Sequence, residues 1–190
     1  MLQPRLILFP QQHIDNTTDF ISLLTEAQLI SGKFDFKQHI HYLVGQQFFQ
    51  HIMFLGCSPF IQTELPEDVN DMNFCHIEIT SSQSETQFFH AQQMRPPRCP
   101  HCKNQISHWR IIIKQWQQDK SCDSYTCPEC QQIVNITELN WRNKAGFGRE
   151  MISIWGVFEG EAIPNDTFLS QLKQWTGVNW QYCHATGDHY

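Results

Sequence analysis

The chain has 190 residues, a length that suits one domain, or one domain carrying a small additional module. Its 41% hydrophobic and 13% aromatic content is enough for a packed core and excludes wholesale disorder. A formal charge of -6 argues against a surface built throughout to coat nucleic acid or anionic lipid.

The opening "MLQPRLILFP" combines a short apolar run with prolines and no small-residue cleavage site behind it, so no secretory leader is expected. Within it "RLILF" predicts a short buried strand ended by Pro10. "NTTDFISLLTEAQLISG" predicts a helix. Asn16 or Thr17 would cap it, Phe20, Leu23, Leu24, Ala27 and Ile30 share one face, and Gly32 suits the left-handed position past its end. For residues 40–55 two periods compete. Ile40, Leu43, Val44, Phe48 and Ile52 fit a helix, whereas the aromatic-rich "FFQHIMFL" favours a buried strand, which is the expectation adopted. "NFCHIEIT" alternates Cys75, Ile77 and Ile79 with His76 and Glu78, predicting a half-buried strand with "TQFFHA" as its partner.

Later in the chain "NKAGFGRE" marks a flexible junction, and "MISIWGVF" predicts another strand. "IPNDTFLSQLKQWTG" has every helix signal: Asn165 or Asp166 as cap, Phe168, Leu169, Leu172 and Trp175 on one face, and Gly177 to close it. "NWQYCH" predicts a final strand. Neither an internal repeat nor a low-complexity segment is present, and no run reaches the ~18 apolar residues that a membrane-spanning helix needs. The expected architecture is an α+β fold, a largely antiparallel sheet with two main helices on one face. It would be built from residues 1–94 plus 141–190 and interrupted by an inserted module at residues 95–140.

That middle segment carries the strongest chemical signal. Cys99-Pro100-His101-Cys102 and Cys127-Pro128-Glu129-Cys130 are matched Cys-Pro-x-Cys turns separated by 24 residues. A Cys-x-x-Cys turn lets two sulfurs reach one ion while backbone N–H groups behind it offset their charge. Proline at the second position presets φ for the turn. Two such turns match the spacing of zinc sites with a slightly long connection. The segment resembles a zinc ribbon, a family of small β-rich modules whose two knuckles clamp one ion. The resemblance covers about residues 95–135 and implies a single structural Zn²⁺ on Cys99, Cys102, Cys127 and Cys130. Three alternatives stand beside it: unbound thiols, a rubredoxin-type iron site, and substitution of one ligand by Cys122 or His101. The iron family usually places glycine after each pair, where this chain has Lys103 and Gln131. A segment with few aliphatics beyond "RIIIK" and "IVNI" is expected to depend on its ion for folding.

A shell closed by four thiolates leaves no coordination position for water, so it points to architecture and not to turnover. Thioredoxin-like redox chemistry would place a single such motif at a helix start. Charge is concentrated here too. Residues 1–94 sum to -7, residues 95–149 to +5 and residues 150–190 to -4. Arg95, Arg98, Lys103, Arg110, Lys114 and Lys120 are interleaved with Trp109, Trp116 and Tyr125, the ingredients of a phosphate-binding and base-stacking surface. The same residues also make an ordinary small core with a solvated rim, and four thiolates on Zn²⁺ lower the local charge by about 2. Weaker constellations are Cys57 with Cys75-His76 and Cys183-His184, the acids Glu159, Glu161 and Asp166, and the Gly-x-Gly of "AGFGR". Each has a structural explanation: buried thiols, a solvated loop with a helix-dipole complement, and a turn.

The leading expectation is a cytoplasmic, non-enzymatic zinc-binding protein that engages a protein partner, since neither a leader nor a disulfide framework is evident. The alternatives are a nucleic-acid adaptor using the basic, tryptophan-containing module, and an enzyme whose site lies in the α+β part.

Overall fold

The computed structural model describes residues 3–14, 19–36, 38–56, 61–67, 73–81 and 84–187. Strand β1 (Gln3–Pro10) carries the expected apolar run, with Arg5 through Pro10 all buried. Helix α1 (Phe20–Glu26) is capped by Asp19, whose carboxylate accepts the Ser22 N–H at 3.1 Å; the expected caps Asn16 and Thr17 lie outside the described residues. The helix also stops earlier than expected. Gln28 takes a left-handed φ of 53°, and Gly32 falls inside strand β2 (Ile30–Phe36) instead of closing the helix.

The ambiguous segment resolves into three pieces: β3 (His39–Val44), a single helical turn α2 (Phe48–His51) and β4 (Ile52–Phe54). The chain can turn at Gly45 because its backbone passes directly over Gln28, where a Cβ would lie 2.0 Å from the carbonyl oxygen. Strand β5 (His76–Thr80) is present, but its partner is not "TQFFHA". It sits inside the main sheet, so His76 and Ile77 are both buried and the expected half-exposed alternation fails. "TQFFHA" supplies β6 (Gln87–His90), which pairs with β9 (Ala145–Gly148). The middle of the expected flexible junction, Ala145–Gly148, is therefore a fully buried strand.

Between β6 and β9 lie α3 (Trp109–Gln118), the short strands β7 (Ser124–Thr126) and β8 (Ile133–Asn135), and a 3-10 turn at Ile136–Glu138. Helix α3 adds to the two helices expected. Trp109, Ile112, Ile113 and Trp116 form its buried face at i, i+3, i+4 and i+7. The chain ends with β10 (Met151–Trp155), β11 (Ala162–Pro164), α4 (Asp166–Thr176) and β12 (Trp180–Gly187). Helix α4 follows its sequence signals closely: Asn165 Oδ1 accepts the Phe168 N–H at 2.6 Å, and Gly177 ends the helix at φ 74°.

The fold class is α+β. Six strands pair antiparallel in the order β12-β1-β10-β5-β3-β2. Strand pleating sends Leu6, Leu8, Ile77, Ile152 and Ile154 to one face, where Leu24 of α1 and Phe168 and Leu172 of α4 cover them. On the opposite face Ile7, Phe9, Met151, Cys183 and Ala185 pack against Phe89 of the β6–β9 ribbon. The ribbon's other side, Phe88, Ala145 and Phe147, joins a second core with Trp109, Ile112, Ile113, Trp116, Val134, Ile136 and Trp141. One two-stranded layer is thus shared by two cores, and the second core draws on side chains beyond residues 95–140. Among the described residues no helix is long and apolar enough to cross a membrane.

Candidate metal centre

Each cysteine knuckle is the turn of a small antiparallel pair. The first lies between the bridged residues Arg98 and Gln105, the second beyond the β7–β8 register pair Thr126 and Ile133. Their backbones match almost atom for atom. In the first, Lys103 N–H donates to Cys99 O at 3.0 Å and Cys99 N–H to Asn104 O at 2.9 Å. In the second, Gln131 N–H donates to Cys127 O at 2.8 Å and Cys127 N–H to Gln132 O at 2.9 Å. Lys103 (φ 64°) and Gln131 (φ 58°) occupy the left-handed position where glycine would be easiest. Each also turns its side chain back onto the proline carbonyl, Lys103 Nζ to Pro100 O at 2.6 Å and Gln131 Nε2 to Pro128 O at 2.7 Å. The long connection between the knuckles is occupied by α3.

The four sulfurs converge. Cys99, Cys102, Cys127 and Cys130 place their Sγ atoms within 4.8 Å of one another. The cross-knuckle pairs Cys99–Cys130 and Cys102–Cys127 are 3.8 and 3.7 Å apart. Four Zn–S bonds of about 2.3 Å in a tetrahedron require S···S edges of about 3.8 Å, which these two pairs match, and the other pairs lie within 4.8 Å. Cys99 and Cys127 are buried, Cys130 is intermediate and Cys102 exposed. The four-cysteine cluster is compatible with a metal-binding knuckle module.

Hydrogen bonding inside the site separates the thiols. Backbone N–H groups of Cys130 and Glu129 point at Cys127 and pull its thiol down to about 7. At Cys102 the Asn104 N–H favours the thiolate, but desolvation and the three neighbouring sulfurs outweigh it and push the thiol up to about 12. A divalent cation at the centre removes this mutual opposition, because each sulfur then binds as a thiolate. Neither Cys122 nor His101 belongs to the sulfur cluster.

The basic residues of the module divide by exposure. Arg95, Lys103, Arg110 and Lys114 are exposed, while Arg98 and Lys120 are half-buried. Trp109, Trp116 and Trp141 are 5%, 3% and 7% exposed, so their rings fill the second core. Arg110 lies 4.5 Å over the Trp109 ring and Lys120 Nζ 3.5 Å over Trp116, capping those rings from the solvent side.

The weaker constellations come apart. Cys75 packs into the helix-covered core and Cys183 into the cluster on the opposite sheet face. Cys57 lies outside the described residues. Burial drives the Cys75 thiol up to about 12 and raises that of Cys183 as well. Glu159 pairs with Lys144, Glu161 accepts the Phe158 N–H at 2.8 Å, and Asp166 sits in the first turn of α4. "AGFG" is strand β9, not a turn.

One polar cluster has no local signature in the sequence. On the sheet face away from α1 and α4, register aligns Arg5, Trp155 and His76 in one row and Ser153, Glu78 and His41 in the next. Arg5 Nη1 donates to Ser153 Oγ at 3.4 Å, and its guanidinium lies 4.5 Å over Trp155. Trp155 Nε1 donates to Glu78 at 3.0 Å, and the His41 and His76 rings meet at 5.1 Å. Burial lowers the His41 pKa against the opposing pull of Glu78. These residues come from four strands, so only the sheet register brings them together; alternation of His76 with Glu78, and of Ser153 with Trp155, was the one available hint.

Comparison with protein-family models, curated proteins and solved structures finds no match to this chain.

Proposed function

We propose that Cys99, Cys102, Cys127 and Cys130 hold one structural Zn²⁺, and that the chain is a non-enzymatic binding protein whose metal-braced region presents a surface to a protein partner. The observation that carries the first part is the convergence of all four sulfurs within 4.8 Å, with two cross-knuckle pairs at 3.7 and 3.8 Å, the edge length of a zinc–thiolate tetrahedron. With four sulfurs the shell is closed, so the ion supplies rigidity and charge neutralisation. Backbone N–H groups of Asn104, Glu129 and Cys130 hold the sulfurs in place from behind.

A protein partner is favoured by what the module exposes. Ile111 on α3 and Ile133 beside the second knuckle are 61% and 72% exposed, in a region whose other large apolar side chains are mostly buried. The tryptophans that would stack on bases are enclosed in the second core. Nucleic acid remains a second reading because Arg95, Lys103, Arg110 and Lys114 reach solvent.

Co-purification from the native host, with wild-type protein and an Ile111→Lys/Ile133→Lys variant in parallel, tests the choice. A specific protein retained by wild type and lost by the variant supports the proposal. A nucleic acid retained by both, with affinity falling steeply as salt rises, replaces it with the second reading.

A further inference from the structure

A cavity of about 580 Å³ opens where the end of β1, the turn at 137–143, the β9–β10 connection and β12 meet. Its volume lies within the range of small-molecule sites, roughly 300–1,000 Å³. It belongs to neither the sulfur cluster nor the exposed isoleucines.

The chemistry of its wall is specific. Phe9, Phe147 and Tyr182 give it an apolar side, and two guanidinium groups, Arg142 and Arg149, line it. Arg142 Nη2 has no hydrogen-bond partner among the described residues and is closed off from solvent, the cavity space included, so an entering acceptor reaches it once the guanidinium turns towards the cavity. A guanidinium cannot shed its proton, so a buried N–H of this kind calls for an acceptor. The two carboxylates of the wall are otherwise engaged. Glu150 Oε1 lies 2.6 Å from His13 Nδ1, an ion pair when that histidine is protonated, and Glu138 accepts the Asn135 N–H at 3.4 Å in a capping box. Glu150 keeps one side of the cavity acidic, which leaves the Arg142 side for an anion.

Arg142 is firmly placed. It and Asn143 form a left-handed pair, φ 55° and 56°, in the turn between Trp141 and Lys144. Asn140 Oδ1 accepts the Arg142 N–H at 3.0 Å, and Asn143 O accepts the His184 N–H from β12 at 2.9 Å. The turn is also tied to the first knuckle: Arg98 and Asn140 exchange two backbone hydrogen bonds, 3.1 and 2.9 Å, one residue from Cys99. The backbone that carries Arg142 is thereby held by both the main sheet and the first knuckle.

We propose that this cavity binds a small organic anion, with its carboxylate or phosphate seated on Arg142. Planar bidentate recognition of such groups is what a guanidinium does best. The surrounding side-chain amides, among them Gln11 and Gln181, supply donors and acceptors for a polar body. This goes beyond the protein-partner proposal and does not depend on it.

The test is an amide NMR titration of the full-length, metal-replete chain with citrate and, separately, with ribose 5-phosphate, using sodium chloride at matched ionic strength as control. Saturable shifts confined to residues 11–13, 137–150 and 181–182, with a dissociation constant below roughly 10 mM, are expected for at least one probe. Which probe binds tighter distinguishes carboxylate from phosphate. Arg142→Gln should weaken binding by about tenfold or more, and Gln181→Glu, which leaves the turn untouched, should weaken it in the same direction. No saturable shift with either probe overturns the proposal. So does the same response to chloride, or unaltered affinity in a folded Arg142→Gln or Gln181→Glu protein.

Discussion

Removing the metal should unfold the knuckle region and its core while the six-stranded sheet survives. A structural zinc contributes roughly 10–16 kcal/mol of apparent binding free energy at neutral pH. That is comparable to the roughly 5–15 kcal/mol by which a whole domain is stable, and more than the small second core is expected to supply by itself. The structure sets the size of the signal. Three of the chain's 6 tryptophans, Trp109, Trp116 and Trp141, are buried in the second core, and α3 contributes 10 helical residues. Trp155 and Trp180 belong to the main sheet. Chelation under reducing conditions should therefore red-shift the emission of about half the tryptophans and remove the α3 part of the far-ultraviolet circular dichroism. Amides of β1, β5, β10 and β12 should stay protected from hydrogen exchange. Unchanged emission after complete metal removal would refute the reasoning, because the second core would then stand without its ion. Loss of all protection in a single step would refute the idea that the sheet is held by its own helix-covered face.

Three further outcomes follow from particular contacts. Gly45→Ala should destabilise the protein by about 3 kcal/mol in denaturant unfolding, because the added Cβ would lie 2.0 Å from the Gln28 carbonyl and backbone on both sides must move. Asn165→Ala should cost about 1 kcal/mol or more by removing both the acceptor for the Phe168 N–H and the amide donor to Gln50 O. Asn165→Asp keeps the cap but sets a carboxylate oxygen against that carbonyl and should recover only part of the loss; thermal unfolding of the pair reads the difference. Burial lowers the pKa of His41 and of His184. The unfolded chain then binds more protons than the folded one below about pH 6.5, so stability is unaffected above pH 7 and falls as the solution is acidified. The slope approaches about 1.4 kcal/mol per pH unit per histidine until the folded values are reached. Unfolding curves between pH 7 and 5 should show that slope reduced in His41→Gln and His184→Gln, and an unchanged slope in both counts against burial as the cause.

What was legible in the sequence had local causes. Helix α4 was readable end to end because Asn165, its apolar face and Gly177 act within a few residues of one another. Strand β1 and the two knuckles were readable for the same reason. The misreadings arose where distant contacts decide. Gly32 offered a helix stop, but the chain turns at Gln28, whose carbonyl packs under Gly45 and accepts from Gln47 N–H. "NKAGFGRE" has the composition of a hinge, yet Gly146 is needed because Phe9 and Phe89 close over it, leaving 2.2 Å between an added Cβ and the Phe9 ring. Helix α3 was hidden differently. Its 3.6-residue period was present in Trp109, Ile112, Ile113 and Trp116, but its β-branched run and the resemblance to a β-rich family both pointed away from a helix. The rows formed by Arg5, Trp155 and His76 and by Ser153, Glu78 and His41 exist only through sheet register.

The metal content of the chain tests the account most directly. Protein expressed in zinc-containing medium, kept reduced and dialysed into metal-free buffer would be assayed by inductively coupled plasma mass spectrometry against its amino-acid concentration. One zinc per chain is the predicted value, falling towards zero in a Cys99→Ser/Cys127→Ser variant. Less than about half an equivalent of zinc from the wild-type protein, or iron in its place, would contradict the assignment.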